Sequence, residues 1–216
     1  MHIQEIWRYP VKSMGGERVA QIQMDSGGLA GDRKVVVQGP TGRVLTSRMR
    51  PGLLGLKGTI DGNGQVRISG HLWNSAEALA LVRETAGMNA KLVYTESLER
   101  FDILPLLVAT DGAIEYMHFD GRRLRPNIVV GGVPGLKERS WPGRDLQLGD
   151  TVIHAAQLRA RCVMTTYDPD TQEQDLNVLR SIVRELDGVM ALDCAVLKGG
   201  TIREGDAVKL LSESES

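Results

Sequence analysis

Short β-favouring runs, many of them closed by glycine-containing turns, restrict the fold of this chain more than any other feature of its sequence. They are Ile3–Tyr9, Val19–Met24, Lys34–Val37, Val66–Ser69, Lys91–Thr95, Ile128–Val130, Thr151–Ala155, Arg161–Thr166 and Val208–Leu211. Lys34–Val37 and Leu106–Ala109 are continuous apolar stretches, which suggests strands covered on both faces. The dipeptide Gly-Asp recurs ahead of a strand at Gly31-Asp32, Gly149-Asp150 and Gly205-Asp206. Glycine accepts positive φ and aspartate bonds neighbouring amides, so these pairs suit turns. Many short strands with repeated turns argue for a barrel or sandwich.

Three segments have helical spacing. Asn74 can cap a helix with Glu77 three residues on, Leu79, Val82 and Ala86 share one face, and Gly87 ends it. A shorter helix starts at Asp111 and carries Ile114 and Met117. The third runs from about Asp175 to Leu186, with Leu176, Leu179, Ile182, Val183 and Leu186 on one side and Gly188 as its stop. The terminal SESES, residues 212–216, reads as a disordered tail.

A chain of 216 residues can bury a sizeable core. With 26 Lys plus Arg against 27 Asp plus Glu it lacks the basic surplus of a nucleic-acid binder, so no nucleic-acid partner is expected. MHIQEIWRYPVKS has no basic head followed by an apolar stretch, and Ile103–Ala109 is too short to span a bilayer and contains Pro105. The expectation is a cytoplasmic protein with no membrane association and with Cys162 and Cys194 as reduced thiols.

Cys162 lies in RARCVMTTYDPDT. A free cysteine in a strand is usually a small buried hydrophobe, but these neighbours are unusual. Arg159 and Arg161 bring positive charge that favours thiolate, and Thr165, Thr166, Asp168 and Asp170 crowd a turn containing Pro169. Thiolate suits soft or high-valent transition metals. No CxxC or HxxxH spacing completes a zinc site, so a metal on Cys162 would have to arrive inside an organic cofactor.

Four further segments offer anion-binding groups. Lys12 and Ser13 precede two glycines in YPVKSMGGE, Arg33 follows Gly31-Asp32, Arg48 ends Thr46-Ser47-Arg48, and Arg125 and Asn127 flank Pro126 in LRPNIVVGG. Arginine presents a planar fork that matches phosphate, and asparagine can meet a heterocycle as donor and acceptor. Each alone is most simply an ion pair or turn residue. Several beside one thiol suit a phosphorylated pterin that carries a metal. His2, His71, His118 and His154 have no partner at metal or triad spacing, and no P-loop, nucleophile elbow or dinucleotide fingerprint occurs.

IWRYPVKSMGGE, GDRKVVV, LTSRMRP, LRPNIVV, WPGRDLQLGD, RARCVMTTYDPDT and GTIREGDAV stand in the order found in MOSC-domain proteins. From Ile3 to Leu211 the chain resembles the branch with an N-terminal β-barrel extension, which includes the mitochondrial amidoxime-reducing component. The resemblance implies a mostly β fold with peripheral helices (α+β), a MOSC-type β-barrel with a barrel-like extension. Its parts would be residues 1–95, the N-terminal MOSC-associated part, and 96–211, the MOSC barrel. It implies a molybdenum cofactor (molybdopterin) with the metal on Cys162, and Lys12, Ser13, Arg33, Arg125 and Asn127 holding pterin and phosphate. FDILPLLVATD resembles a further cofactor loop and adds Asp102, although Ile103 and Leu104 replace the hydroxyl residues usual there. A family-level association with pyridoxal phosphate comes with the same resemblance.

The activity implied is reduction of small N-hydroxylated or N-oxide substrates, with electrons from a separate donor protein. Arg161 and Asp168 join Cys162 as catalytic residues that position substrate or move protons. The alternative is a carrier, because MOSC domains also resemble the C-terminal part of cofactor sulfurases. Cys162 would then hold cofactor or a persulfide without turnover.

Overall fold

The computed structural model describes residues 1–211, so the SESES tail lies outside the described residues. Strands β1 (His2–Arg8), β2 (Glu17–Arg18), β3 (Gln21–Asp25) and β4 (Gly28–Leu29) open the chain. β5 (Val35–Gln38), β6 (Gly58–Ile60), β7 (Val66–Ile68) and β8 (His71–Leu72) follow. Helix α1 (Ala76–Ala86) leads to β9 (Lys91–Tyr94) and β10 (Leu106–Thr110). Helix α2 (Asp111–Met117) leads to β11 (Ile128–Gly131), β12 (Arg144–Leu148) and β13 (Thr151–Ala160). Helix α3 (Leu176–Leu186) precedes β14 (Val189–Lys198), β15 (Gly200–Arg203) and β16 (Val208–Leu210).

The fold is mostly β, as expected. An eight-stranded sheet runs β16-β12-β13-β14-β10-β11-β1-β2 and curls into a half-barrel. Its neighbours are antiparallel except β10 and β11, whose parallel pairing requires a crossover that α2 supplies. β3 pairs with β15 and β4, so the first thirty or so residues lie against the C-terminal part of the chain. Ile3, Ile6, Ile22, Met24 and Leu29 accordingly share one core with Leu106, Ile128, Leu146, Ile153 and Leu192.

A second core joins Val11, Val35 and Val37 to Val82 and Ala86 of α1. The third lies on the outer face of β10, where Leu107 and Ala109 meet Met117 of α2 and Ile182 and Leu186 of α3. Leu106 and Val108 face the first core and Leu107 and Ala109 the third, which explains the uninterrupted apolar run.

Three local expectations change. The α1 cap is Ser75 rather than Asn74: its Oγ accepts the Ala78 N–H at 3.2 Å, and Ala78 rather than Leu79 is fully buried. Leu176 and Val183 of α3 are exposed, since the buried stripe narrows to Ile182 and Leu186. Arg161–Thr166 is not a strand. β13 stops at Ala160, and Val163–Thr166 forms a 3-10 turn for which Cys162 is the N-cap residue. Threonine hydroxyls favour the turn: Thr165 Oγ1 donates to the Cys162 carbonyl at 2.9 Å, and Thr166 Oγ1 to Val163 at 2.7 Å.

Candidate functional site

Cys162 sits where β13 hands over to that turn. It is half-buried, whereas Cys194 on β14 is enclosed in the first core and its thiol is pushed far upward by burial. Around Cys162 opens a cleft with about 870 Å³ of empty space. Lys12, Ser13, Arg33, Asp102, Arg125, Asn127, Arg161 and Cys162 all line it. Loops separated by up to 150 residues in sequence thus converge on one thiol.

The three loops that carry Ser13, Arg33 and Arg125 share a feature. All three residues adopt positive φ, at 73°, 53° and 58°. Left-handed backbone costs a side-chain-bearing residue roughly 1–2 kcal/mol, and such outliers cluster where function fixes a group. Local bonds hold the geometry. The Arg33 N–H donates to the Tyr9 carbonyl at 2.7 Å, while the buried Asp32 carboxylate accepts the Tyr9 N–H at 2.7 Å and binds the Arg33 guanidinium. The Arg125 N–H donates to the Arg122 carbonyl at 2.9 Å, closing a 3-10 turn.

The cleft is electropositive although the chain is not. Among the described residues six cations line it, Lys12, Arg33, Arg48, Arg125, Arg159 and Arg161, against the single carboxylate Asp102. Lys12 Nζ donates to Asp102 at 2.8 Å and to the Arg100 carbonyl at 2.7 Å, and Arg159 is paired with buried Asp193. Burial raises the Asp102 carboxyl, but the Lys12 bond and the charges of Lys12, Arg48 and Arg33 hold it below the usual carboxylate range. Arg125 differs from these. Its guanidinium lies 4.4 Å over the Tyr9 ring and has no acceptor among the described residues, and burial lowers its pKa. Arg161 donates one bond, to the Leu124 carbonyl at 2.9 Å, and its buried Nε has no partner. Burial and then Arg159 push it down to about 10. Two desolvated guanidiniums with spare donors fit an anionic ligand better than any structural role.

Asn127 lines the cleft and already has backbone partners on both side-chain polar atoms. Its Oδ1 accepts the Leu107 N–H at 3.1 Å and its Nδ2 donates to the Trp7 carbonyl at 3.4 Å, tying β10 to β1. Asp168 falls outside the lining. Its carboxylate accepts the Asp170 and Thr171 amides at 3.0 Å each and Arg123 at 2.9 Å, which hold its pKa low. These bonds brace the DPDT turn, and Asp168, expected from the sequence to be catalytic, does not line the cleft around Cys162. Phe101 and Met164 join the lining without having been singled out in the sequence, and Arg48 and Arg159 line it as well. Arg48 and Arg159 stand in the basic segments already noted, but no spacing reveals their convergence.

No group of three or more His, Cys, Asp or Glu suited to a metal ion occurs among the described residues. One thiol beside several cations fits a metal that brings its own anionic organic ligand, and not a bare ion.

Family comparisons agree with this geometry. A model of the MOSC N-terminal beta barrel domain matches residues 1–100, and one of the MOSC domain matches residues 85–209, more than half the chain. The chain belongs to the MOSC-domain family. MOSC domains are associated with molybdenum cofactor binding. Human mitochondrial amidoxime-reducing component 1 is 24% identical over 282 residues, an alignment covering 98% of this chain and 83% of that protein. Its Macaca fascicularis relative, amidoxime reducing component 2, is 24% identical over 277 residues, covering 95% and 82%. Among solved structures, the YuaD protein from Bacillus subtilis superposes with a TM-score of 0.54 at 14% identity, covering 99% of this chain and 96% of that one. The likeness to YuaD shows a shared fold. No helix among the described residues is long and apolar enough to cross a membrane.

Proposed function

We propose that this MOSC protein binds a molybdenum cofactor through Cys162 and reduces N-hydroxylated or N-oxide substrates with electrons from a separate donor protein. The observation that carries the proposal is the convergence of Lys12, Arg33, Arg125 and Arg161 on the half-buried Cys162. Similarity to proteins named for amidoxime reduction supports the substrate class. Pyridoxal phosphate is a weaker fit, because Lys12, the one lysine lining the cleft, has its ammonium held by Asp102 and the Arg100 carbonyl.

Cys162 would be the protein's ligand to the metal, and Arg125, Arg33 and Ser13 would hold the anionic and polar groups of the pterin. Bound there, the cofactor would supply two-electron chemistry toward an N–O group. Arg161 would offer its spare donors to an anionic group of the cofactor beside Cys162. Asp102, tied to Lys12, fixes that ammonium at the edge of the cleft. Overall, an N–OH group takes up two electrons and two protons and leaves as N–H plus water.

The test is turnover of benzamidoxime to benzamidine by metal-loaded protein with an artificial reductant. Turnover that disappears in Cys162→Ser supports the reductase reading. Full metal loading without turnover rejects it in favour of a carrier.

A further inference from the structure

The cations that line the cleft are not equivalent. Lys12, Arg33 and Arg159 each pair with a carboxylate, that of Asp102, Asp32 and Asp193 respectively. Arg125 and Arg161 are desolvated, and their spare donors face the place proposed for the cofactor. Arg48 belongs to neither group. Its side chain is 57% exposed, and its guanidinium makes no hydrogen bond among the described residues. Its ion-pair partner, Asp102, stands 3.7 Å away, too far for a hydrogen bond, and is already bonded to Lys12 at 2.8 Å.

The backbone under Arg48 is fixed. The amides of Met49 and Arg50 both donate to the Thr46 carbonyl at 2.9 Å, closing a tight turn with Ser47 and Arg48 at its centre. Arg50 Nε donates to the Ala86 carbonyl at 3.2 Å and ties the turn to the end of α1. Thr46, Ser47 and Arg48 all line the cleft. Burial first and then Arg159 lower the pKa of Arg161, and Arg48 adds to them, so its charge reaches the residue beside Cys162. A guanidinium with free donors at the open end of a cleft suits a ligand whose anionic group stays near solvent.

We propose that Arg48 selects substrates by charge: the cleft favours N-hydroxylated compounds that carry a carboxylate. The Arg48 fork receives that carboxylate at the mouth, while the N–OH group lies toward Cys162. This inference rests on the reductase reading and names the substrate class of the same site. Leu104 and Met164, half-buried in the lining, offer apolar surface to the body between the two ends. The Lys12 ammonium offsets the Asp102 carboxylate, so Asp102 does not cancel the attraction of Arg48. Because Arg48 is partly solvated, the preference is modest and screened by salt.

The test is calorimetric binding of para-carboxybenzamidoxime and of benzamidoxime, without reductant, to protein purified from a host that makes the molybdenum cofactor. The parent should bind the carboxylate about three- to tenfold more tightly at low salt, and high salt should remove most of that preference. Arg48→Gln should equalise the two affinities, and Arg48→Glu should reverse their order. Molybdenum per folded chain should match the parent in both variants. A parent without preference, a preference that persists in high salt or in folded Arg48→Gln, or no saturable binding of either compound overturns the proposal. Loss of molybdenum from folded Arg48→Gln also overturns it, by assigning Arg48 to the cofactor. If neither variant folds, the salt dependence of the parent decides alone. Carboxylate-selective binding without turnover of either compound on adding reductant would reject the reductase reading and leave the charge selection standing.

Discussion

Replacing Arg125 separates a cofactor ligand from a structural arginine, because the two roles predict opposite patterns. Its guanidinium is desolvated, lacks an acceptor among the described residues and touches the Tyr9 face. Truncation to alanine loses a cation–π contact of roughly 0.5–2 kcal/mol, but also removes a charge whose burial is unfavourable. The apo-protein should change by no more than about 1 kcal/mol, the residue of those two opposing effects. Alanine keeps a Cβ, so the backbone cost at φ 58° is unaltered. Cofactor retention should fall much further. A charge-assisted bond at a partly buried site contributes about 1.5–3 kcal/mol, a loss of roughly tenfold to 150-fold in affinity. Arg125→Lys keeps the charge without the fork and should fall between parent and alanine. Apo-protein melting and cofactor titration on the same preparations provide the assay. A lowered melting temperature with unchanged cofactor affinity would refute the argument.

Two other predictions concern stability. The phenol of Tyr9 is raised from 10 to about 12 by burial, so the unfolded chain loses this proton first as pH rises. Stability should therefore decline between pH 10 and 12, by about 2–3 kcal/mol from this group, and Tyr9→Phe should lack that part of the slope in denaturant titrations. An identical slope in the variant would show that Tyr9 is not the group. Asp111 accepts the amides of Gly112 at 2.7 Å, Gly132 at 2.6 Å and Val133 at 3.0 Å, joining α2 to the segment after β11. Asp111→Ala should cost about 2–3 kcal/mol and lower the melting temperature by roughly 4–10 °C without reducing cofactor per folded chain. Matched melting curves would remove Asp111 from that role.

The elements most legible in the sequence are those governed by local pattern. α3 begins where the sequence suggests, with Asp175 as its cap and its Oδ1 accepting the Asn177 N–H, and the apolar run of β10 is buried on both sides. Val189–Lys198 escaped notice as a strand because Asp193 interrupts its apolar pattern; the structure buries that carboxylate against Arg159. The turn after Cys162 was hidden for a related reason. Valine and threonine favour strands, but the threonine hydroxyls bond carbonyls three residues back and close a 3-10 turn. Within the site, residue types were readable: a thiol, arginines, and a Lys-Ser before two glycines. Their left-handed backbone was not, since Ser13, Arg33 and Arg125 are not residues that ordinarily mark positive φ. Nor could the ion pair of Asp168 be read locally, because its partner Arg123 lies 45 residues away.

The central claim is that Cys162 is the protein's ligand to a molybdenum cofactor. Its most direct measurement is molybdenum and pterin content per chain for the parent, Cys162→Ser and Cys194→Ser proteins, all made in a cofactor-competent host. Serine is a harder, weaker donor than thiolate, so Cys162→Ser should remain folded and lose the metal. Cys194→Ser places a hydroxyl in the core and should lower stability while keeping the metal, and the parent should carry about one molybdenum and one pterin per chain, the stoichiometry of a single thiolate ligand. Equal metal content in Cys162→Ser and the parent, or a parent without molybdenum, would contradict the account.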